Sequence, residues 1–495
     1  MKTPLLQLLL ILSMSAFGQS QIGEAILGEN ESDFFGSAIS ISNDGNRLAV
    51  GARLNDGNGE DAGHVRIFER TADGWVQIGA DLDGEAPDDE SGSAVALSGN
   101  GNRVAIGAIQ NTANGPASGH VRVYEYDGAD WVQLGSDING PMNSLFGFSV
   151  DLSGYGGNLV VGATGASVNG SNSGQIRAYQ FIDGNWYMMG SPINGQMEGD
   201  LFGTSVSISS NGQRIAAGAR LNDSNGDAAG HVQVYDFTGD EWVPCGAHIN
   251  GEAAGDHSGG AVSLSGDGNR LAIGSRLNQG AGAASGQTRI FEYVEGSWTQ
   301  LGQSLHGESS GDIFGTAVAL DHDGSRVAIG AKSNDGNGNN SGQARVYQYN
   351  WGTWMQVGED IDGVSSQDQF GESVDLSYYG DELAVGAPFN DVNGTNSGHV
   401  RVFEVGTYTG LPDLPQEEPI RVSYNSSDGI YTITLDQVYE SAQVRLFDIT
   451  GSIVRQERIG TTARFEYVVD LPSGLYFLQI ANNEDIKGTI KLLKE

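Results

Sequence analysis

Two glycines recur along this chain at an almost invariant spacing, and that spacing limits the possible folds more than any other feature. One follows a Phe or Ser, at Gly36, Gly92, Gly147, Gly203, Gly259, Gly315 and Gly371. The other ends a short apolar run, at Gly51, Gly107, Gly162, Gly218, Gly274, Gly330 and Gly386. The step is 56 residues, with one step of 55. A unit this small cannot bury its apolar face alone, so the copies must stack in an array or close in a ring.

Within the first unit, Ser37 to Ser42 alternates small or polar with apolar residues, and Asn43-Asp44-Gly45-Asn46 reads as a hairpin turn. Arg47 to Ala52, His64 to Phe68 and Trp75 to Leu82 read as second, third and fourth strands. Four antiparallel strands in each of seven units predict an all-β chain, a seven-bladed β-propeller over residues 19–410. Trp75 recurs as Trp131, Trp186, Trp242, Trp298 and Trp354, but the seventh unit ends at Phe403 without one. Gln21 to Ile26 matches the Gln77-Ile78-Gly79 strand and has no unit before it. The N-terminal strand is therefore expected to complete the last blade, which removes exposed strand edges.

The 75 glycines against 11 prolines suit tight hairpins. Lys2, the apolar run Leu5 to Met14 and the small residues Ala16 and Gly18 form a secretory signal peptide over residues 1–18. No other run approaches the length of a membrane-spanning helix. The lone Cys245 rules out an internal disulfide; it takes the place of Ile78, Leu134, Met189, Leu301 and Val357 and is expected to be buried as an apolar side chain. A formal net charge of −37 repels nucleic acid and anionic membranes.

Phe-Gly, then Ser/Ala-Val/Ile, then Gly-Ala closing the second strand, resembles the FG-GAP repeat of integrin α subunits and bacterial surface proteins. Phe stands before the glycine at Phe35, Phe146, Phe202, Phe314 and Phe370, and Ser91 and Ser258 replace it twice. The resemblance implies a seven-bladed propeller over about residues 21–405. Calcium-binding members carry Asp-x-Asp-x-Asp-Gly between the first two strands. Here Ser42-Asn43-Asp44-Gly45 and its equivalents are too short and too poor in acid for that loop.

What repeats along the array is expected to be architecture, even where one unit departs, as Ser144 does from the Asp33 series and Gln233 from the Arg66 series. Asp33 recurs as Asp89, Asp200, Asp256, Asp312 and Asp368, a pattern that suits a loop cap. Arg66 recurs as Arg122, Arg177, Arg289, Arg345 and Arg401 and is expected to hydrogen-bond between blades. His64, His120, His231 and His399 share a register with Gln175, Gln287 and Gln343, which points to hydrogen bonding rather than metal ligation.

The loops between second and third strands are the binding candidates, through Asp56, Asn58, Asp223, Asn225, Asp335, Asn337, Asp391 and Asn393. They gather on one acidic face, a candidate surface for weakly held Ca²⁺, a glycan or a basic protein patch; the competing reading is that Asn and Gly simply tolerate the backbone required there. No Gly-x-Ser-x-Gly, His-Glu-x-x-His, zinc-spaced Cys pair or phosphate loop occurs. His257, His322 and Lys332 stand out as unrepeated polar residues.

After Phe403 the period fails, and residues 411–419 form a Pro- and acid-rich linker. Residues 420–495 alternate as short strands of a small β-sandwich. Leu446 to Val454, Leu471-Pro472-Ser473-Gly474-Leu475-Tyr476 and the terminal Lys491-Leu492-Leu493-Lys494 resemble the C-terminal sorting domain of the type IX secretion system of Bacteroidota. That resemblance implies handling by the type IX machinery and passage through the periplasm to the outer cell surface or beyond. The expectation is a secreted or surface binding and adhesion protein without catalysis. The alternatives are a carbohydrate-active enzyme with two close, unrepeated carboxylates in its channel, or a structural surface-layer component.

Overall fold

The structure is a computed structural model that describes residues 19–406, 420–425, 430–448, 452–468, 474–482 and 485–494. The expected signal peptide, the expected 411–419 linker and parts of the sorting motifs, including Thr450-Gly451 and Leu471-Pro472-Ser473, lie outside the described residues. The chain divides into two compact units, Met1–Tyr408 and Thr409–Glu495.

In the first unit the described residues form seven antiparallel sheets and no helix. The first sheet runs Ala38–Ile41, Arg47–Ala52, His64–Thr71 and Gly74–Gln77, innermost to outermost, and the others repeat it. Trp75 to Leu82 is not the single strand its alternation predicts. Gly74–Gln77 and Leu82–Asp83 pair separately with His64–Thr71. The break falls at Gly79, whose φ is +73° and whose Cβ, if present, would meet Trp131 Cδ1 of the next sheet at 2.7 Å.

The two glycine series abut across every joint between sheets. A Cβ on Gly51 would stand 2.2 Å from the carbonyl oxygen of Gly92, and one on Gly218 would stand 2.0 Å from that of Gly259. The seventh joint is the same: Gly386 meets Gly36 at 2.1 Å, and Phe35 bridges Gly398 as Gly63 bridges Ser91. The ring is thus closed by the contact that builds it.

Arginines of the Arg66 register pin these joints. Arg66 donates to Leu27 O of the preceding sheet at 2.7 Å and lies over the Phe35 ring at 4.5 Å. Arg122 donates to Asp83 O at 2.6 Å and Arg289 to Asn250 O at 2.7 Å. Arg401 donates likewise to Asp362 O at 3.3 Å, so the expected inter-sheet bonds are present at four of the six positions, whereas Arg177 donates to Gln175 and Arg345 to Tyr347 within their own strands. Beside them the four histidines are buried, and burial, with the neighbouring arginine in three of them, lowers His64, His120 and His399 to about 4; His231, beside His248, is lowered to the same value.

That sets an acid limb. The folded protein keeps these imidazoles neutral while the unfolded chain takes up protons below pH 6.5, so their contribution is complete above 6.5 and is lost toward pH 4. The loss is on the order of 3 kcal/mol per histidine. The H64Q/H120Q/H231Q/H399Q variant, which uses the residue found in the other three units, is expected to flatten urea midpoints between pH 6.5 and 4.5. Equal slopes in variant and wild type would contradict this.

Each tryptophan clamps its sheet to the one before. Trp75 Nε1 donates to Ile22 O at 3.2 Å, Trp131 to Ile78 O at 3.1 Å and Trp298 to Cys245 O at 2.9 Å. Cys245 is buried, as expected. In the last sheet, which lacks a tryptophan, the Gln19 side-chain amide donates to Val357 O at 2.8 Å instead. Ser20–Gln21 and Ile26–Leu27 pair with His399–Glu404, so the N-terminal strand completes the seventh sheet.

In the second unit, five strands make one continuous sheet rather than two separate ones. Irregularities between Thr434 and Ala442 divide the long strand Ile430–Phe447, and its two halves share a core that includes Ile433, Leu446, Phe465 and Leu478.

Candidate functional site

The axis of the ring has two mouths. At the short-turn mouth, backbone bonds link turn to turn: Gly154 N donates to Ser210 O, Gly266 N to His322 O, His322 N to Tyr378 O, and Tyr378 N to Asn43 O. His322 also stacks on Tyr378, ring centroids 4.0 Å apart.

Behind this mouth runs a belt of seven amides. Leu97, Leu264 and Leu320 donate to Ser40, Ser207 and Ser263 of the preceding sheet. Where Ala96 and Ala319 offer no oxygen, the next sheet supplies aspartate. Asp151 accepts from its neighbour Leu152 and from Ile208, each at 2.8 Å. Asp375 accepts from Leu376 at 2.9 Å and from Ile41 at 2.8 Å. Burial pushes these carboxyls up to about 7 and about 6. They line a cavity of ≈ 150 Å³. Three carboxylates line this cavity: Asp151 and Asp375, which share one register and close the amide belt, and Asp321, which stands where the other units carry Ser and accepts from Arg326 N at 2.9 Å.

The other mouth carries the long loops. Asp33 accepts from Asn30 N at 2.9 Å and from the buried Asn55 amide at 3.0 Å, and Asp89, Asp256 and Asp368 repeat the pattern. This is the expected cap. The eight loop residues chosen from sequence all lie exposed on this face. Asp56, Asp223, Asp335 and Asp391 each accept from the amide five residues on, at 2.9, 2.7, 2.8 and 2.8 Å. Asn58, Asn225, Asn337 and Asn393 donate to Gly84, Gly251, Gly363 and Gly28 carbonyls, which ties each loop to the connection that enters the next first strand. Their geometry accounts for their recurrence without a ligand.

Two clusters among the described residues bring metal-ligating atoms within 4.8 Å: Glu29, His64 and Asp81, and Glu85, His120 and Asp137. Neither contains a loop residue from the sequence reading. Arg66 lies 3.3 Å from Glu29, and Arg122 lies 3.8 Å from Glu85. The guanidiniums already supply the positive charge a cation would bring.

At the centre of the loop face the repeat breaks down in its side chains while its backbone persists. A cavity of ≈ 280 Å³ is lined by Phe34, Arg53, Ile109, Phe148, Glu372 and Phe389 among others. Phe34 stacks edge-on against Phe389 at 5.0 Å, and Arg53 lies over Phe34 at 5.7 Å. Phe34 has φ +53°, as do its equivalents within a few degrees: Glu90, Leu145, Leu201, His257, Ile313 and Gln369. Left-handed backbone favours Gly or Asn, and neither occurs at any of the seven positions. Each side chain is retained against roughly 1 kcal/mol or more of strain. Arg53 pairs with Glu90 at 3.4 Å and Lys332 with Glu372 at 2.7 Å. Two of the unrepeated residues seen in sequence, His257 and Lys332, therefore belong to this mouth. The cations two residues after the second-strand glycine, Arg53, Arg220, Arg276 and Lys332, went unremarked as a series; their signal was basic residues in one register of a strongly acidic chain.

Four segments, 28–68, 194–235, 307–347 and 361–403, match the FG-GAP repeat, and residues 425–495 match the secretion system C-terminal sorting domain. No curated protein matches the chain. Similar solved structures include a putative 6-phosphogluconolactonase from Bacteroides uniformis, 14% identical, TM-score 0.46, covering 67% of this chain and 87% of that one. A second, from Bacteroides fragilis, is 11% identical with TM-score 0.46 and covers 85% and 98%. Chaetomium thermophilum Raptor is 11% identical with TM-score 0.48, covering 79% of this chain and 29% of that one. No helix among the described residues is long and apolar enough to cross a membrane. The chain carries FG-GAP repeats in a β-propeller and a type IX secretion C-terminal sorting domain that directs it to the outer cell surface.

Proposed function

We propose that the propeller is a binding or adhesion module of the cell surface, without catalysis of its own, that engages a glycan or protein at the loop-face mouth of its axis. The observation that carries this reading is the contrast between backbone and side chains there. The same left-handed position carries Phe34, Glu90, His257 and Ile313 in different sheets, and the cavity beside Phe34 is lined by aromatic rings and two charged side chains. A concavity that joins aromatic rings to a small number of placed polar groups is a usual form of ligand site. The exposed Asp56, Asn58, Asp223, Asn225, Asp335, Asn337, Asp391 and Asn393 surround it as secondary contacts. The sorting domain delivers this face to the outside of the cell.

A glycan and protein array probed with the full chain, with Ca²⁺ and again with chelator, is expected to show a restricted set of ligands. The F148A/F389A variant is expected to lose them. Silence of the wild type in both conditions would contradict a binding role and favour a structural one.

A further inference from the structure

Arg220 and Arg276 are the two cations of residues 19–406 with neither an ion pair nor a side-chain hydrogen bond among the described residues. Their isolation follows from what the repeat has removed around them. They occupy the register of Arg53, which lines the mouth and pairs with Glu90. At the place of Glu90 the fifth sheet carries His257 and the sixth carries Ile313. At the place of Glu372, the partner of Lys332, they carry Gly260 and Thr316. Both kinds of acid partner are gone while the arginines remain.

The two arginines stand in one register on adjacent sheets. Burial, then Arg276, holds Arg220 below its ordinary value, and burial, then Arg276 and Arg220, lowers His257. Arg220 Nε, Arg276 Nε and His257 Nδ1 are each buried without a hydrogen-bond partner. Like charges with orphaned donors are costly unless something fills the space between them. A chain with 62 acids and 25 bases has ample means to neutralise them and does not.

We propose that Arg220 and Arg276, with His257 beside them, bind the carboxylate of an acidic sugar, whose uncharged remainder faces the aromatic side of the same mouth at Phe34, Phe148 and Phe389. The inference rests on the binding role above. Guanidinium forks match a carboxylate's two oxygens. An extended polyanion is disfavoured, because its further charges would lie against the acidic remainder of the surface. A single anionic residue in an otherwise neutral glycan meets only the local cations.

The test is calorimetric titration of the full chain with glucuronate, glucose, sodium sulfate and a short neutral peptide bearing a free C-terminal carboxylate. Glucuronate is expected to bind at roughly millimolar strength. Glucose is expected to bind about tenfold more weakly, and added salt to weaken glucuronate alone. The R220Q/R276Q variant should lose about tenfold toward glucuronate while melting at the same temperature or higher, since a repulsion is removed. Unchanged glucuronate binding in that variant, or a lowered melting temperature, overturns the site. Sulfate binding as tightly as glucuronate overturns its assignment to a sugar carboxylate, as does tighter binding of the peptide. A neutral array ligand that binds wild type and R220Q/R276Q equally leaves the binding role intact and removes this inference alone.

Discussion

Gly386→Ala is expected to open the ring at its closing joint and destabilise the propeller by roughly 3 kcal/mol or more. The new Cβ would fall 2.1 Å from the Gly36 carbonyl oxygen and within 2.3 Å of Ser373 Oγ. Ser373 can turn aside, but then loses its 2.8 Å bond to that same carbonyl. The carbonyl cannot move, because Gly36 N donates to Gly51 O in its own sheet and a Cβ on Gly36 would already meet His399 O at 2.8 Å. Relief must come from separating the first and seventh sheets. That exposes the packed faces of both and breaks the Trp75 indole's bond to Ile22 O. Urea unfolding followed by tryptophan fluorescence should show the midpoint fall; a shift equivalent to less than about 1 kcal/mol would mean the joint is compliant.

Removing residues 420–495 is expected to have the largest effect in the cell. The propeller should still be translocated to the periplasm and remain there, with surface exposure lost. The reason lies in the separation of tasks: one compact unit carries the repeats, the other the segment matched to a sorting domain, and each has its own apolar core. Protease shaving of intact cells that carry a type IX system, with blotting of periplasmic fractions, checks it. Normal surface labelling of the truncated protein would overturn the assignment of export to this domain.

Much of the fold was legible because the physics that builds it repeats. Gly36 and Gly51 recur together since each packs against the other series, and Trp75 recurs since its indole bonds the preceding sheet. Even the missing seventh tryptophan pointed to a composite last sheet. What sequence did not disclose was relational. Nothing near Asp151 or Asp375 announces that each compensates an alanine in the preceding sheet. Nor does Arg220 reveal by itself that its counterpart's acid has become His257. Asp56 and Asn58 drew attention by repeating, yet repetition marks the shared scaffold. The side chains at the mouth are visible only by comparing registers that the closed ring brings together.

The measurement that tests this account most directly is to map the array ligand with two variants of the full chain. One alters the mouth, F148A/F389A; the other alters the rim, D56A/D223A/D335A/D391A. The account predicts that the mouth variant loses the ligand and the rim variant keeps it, with both still folded. A ligand kept by the mouth variant and lost by the rim variant would contradict it and return recognition to the acidic loops.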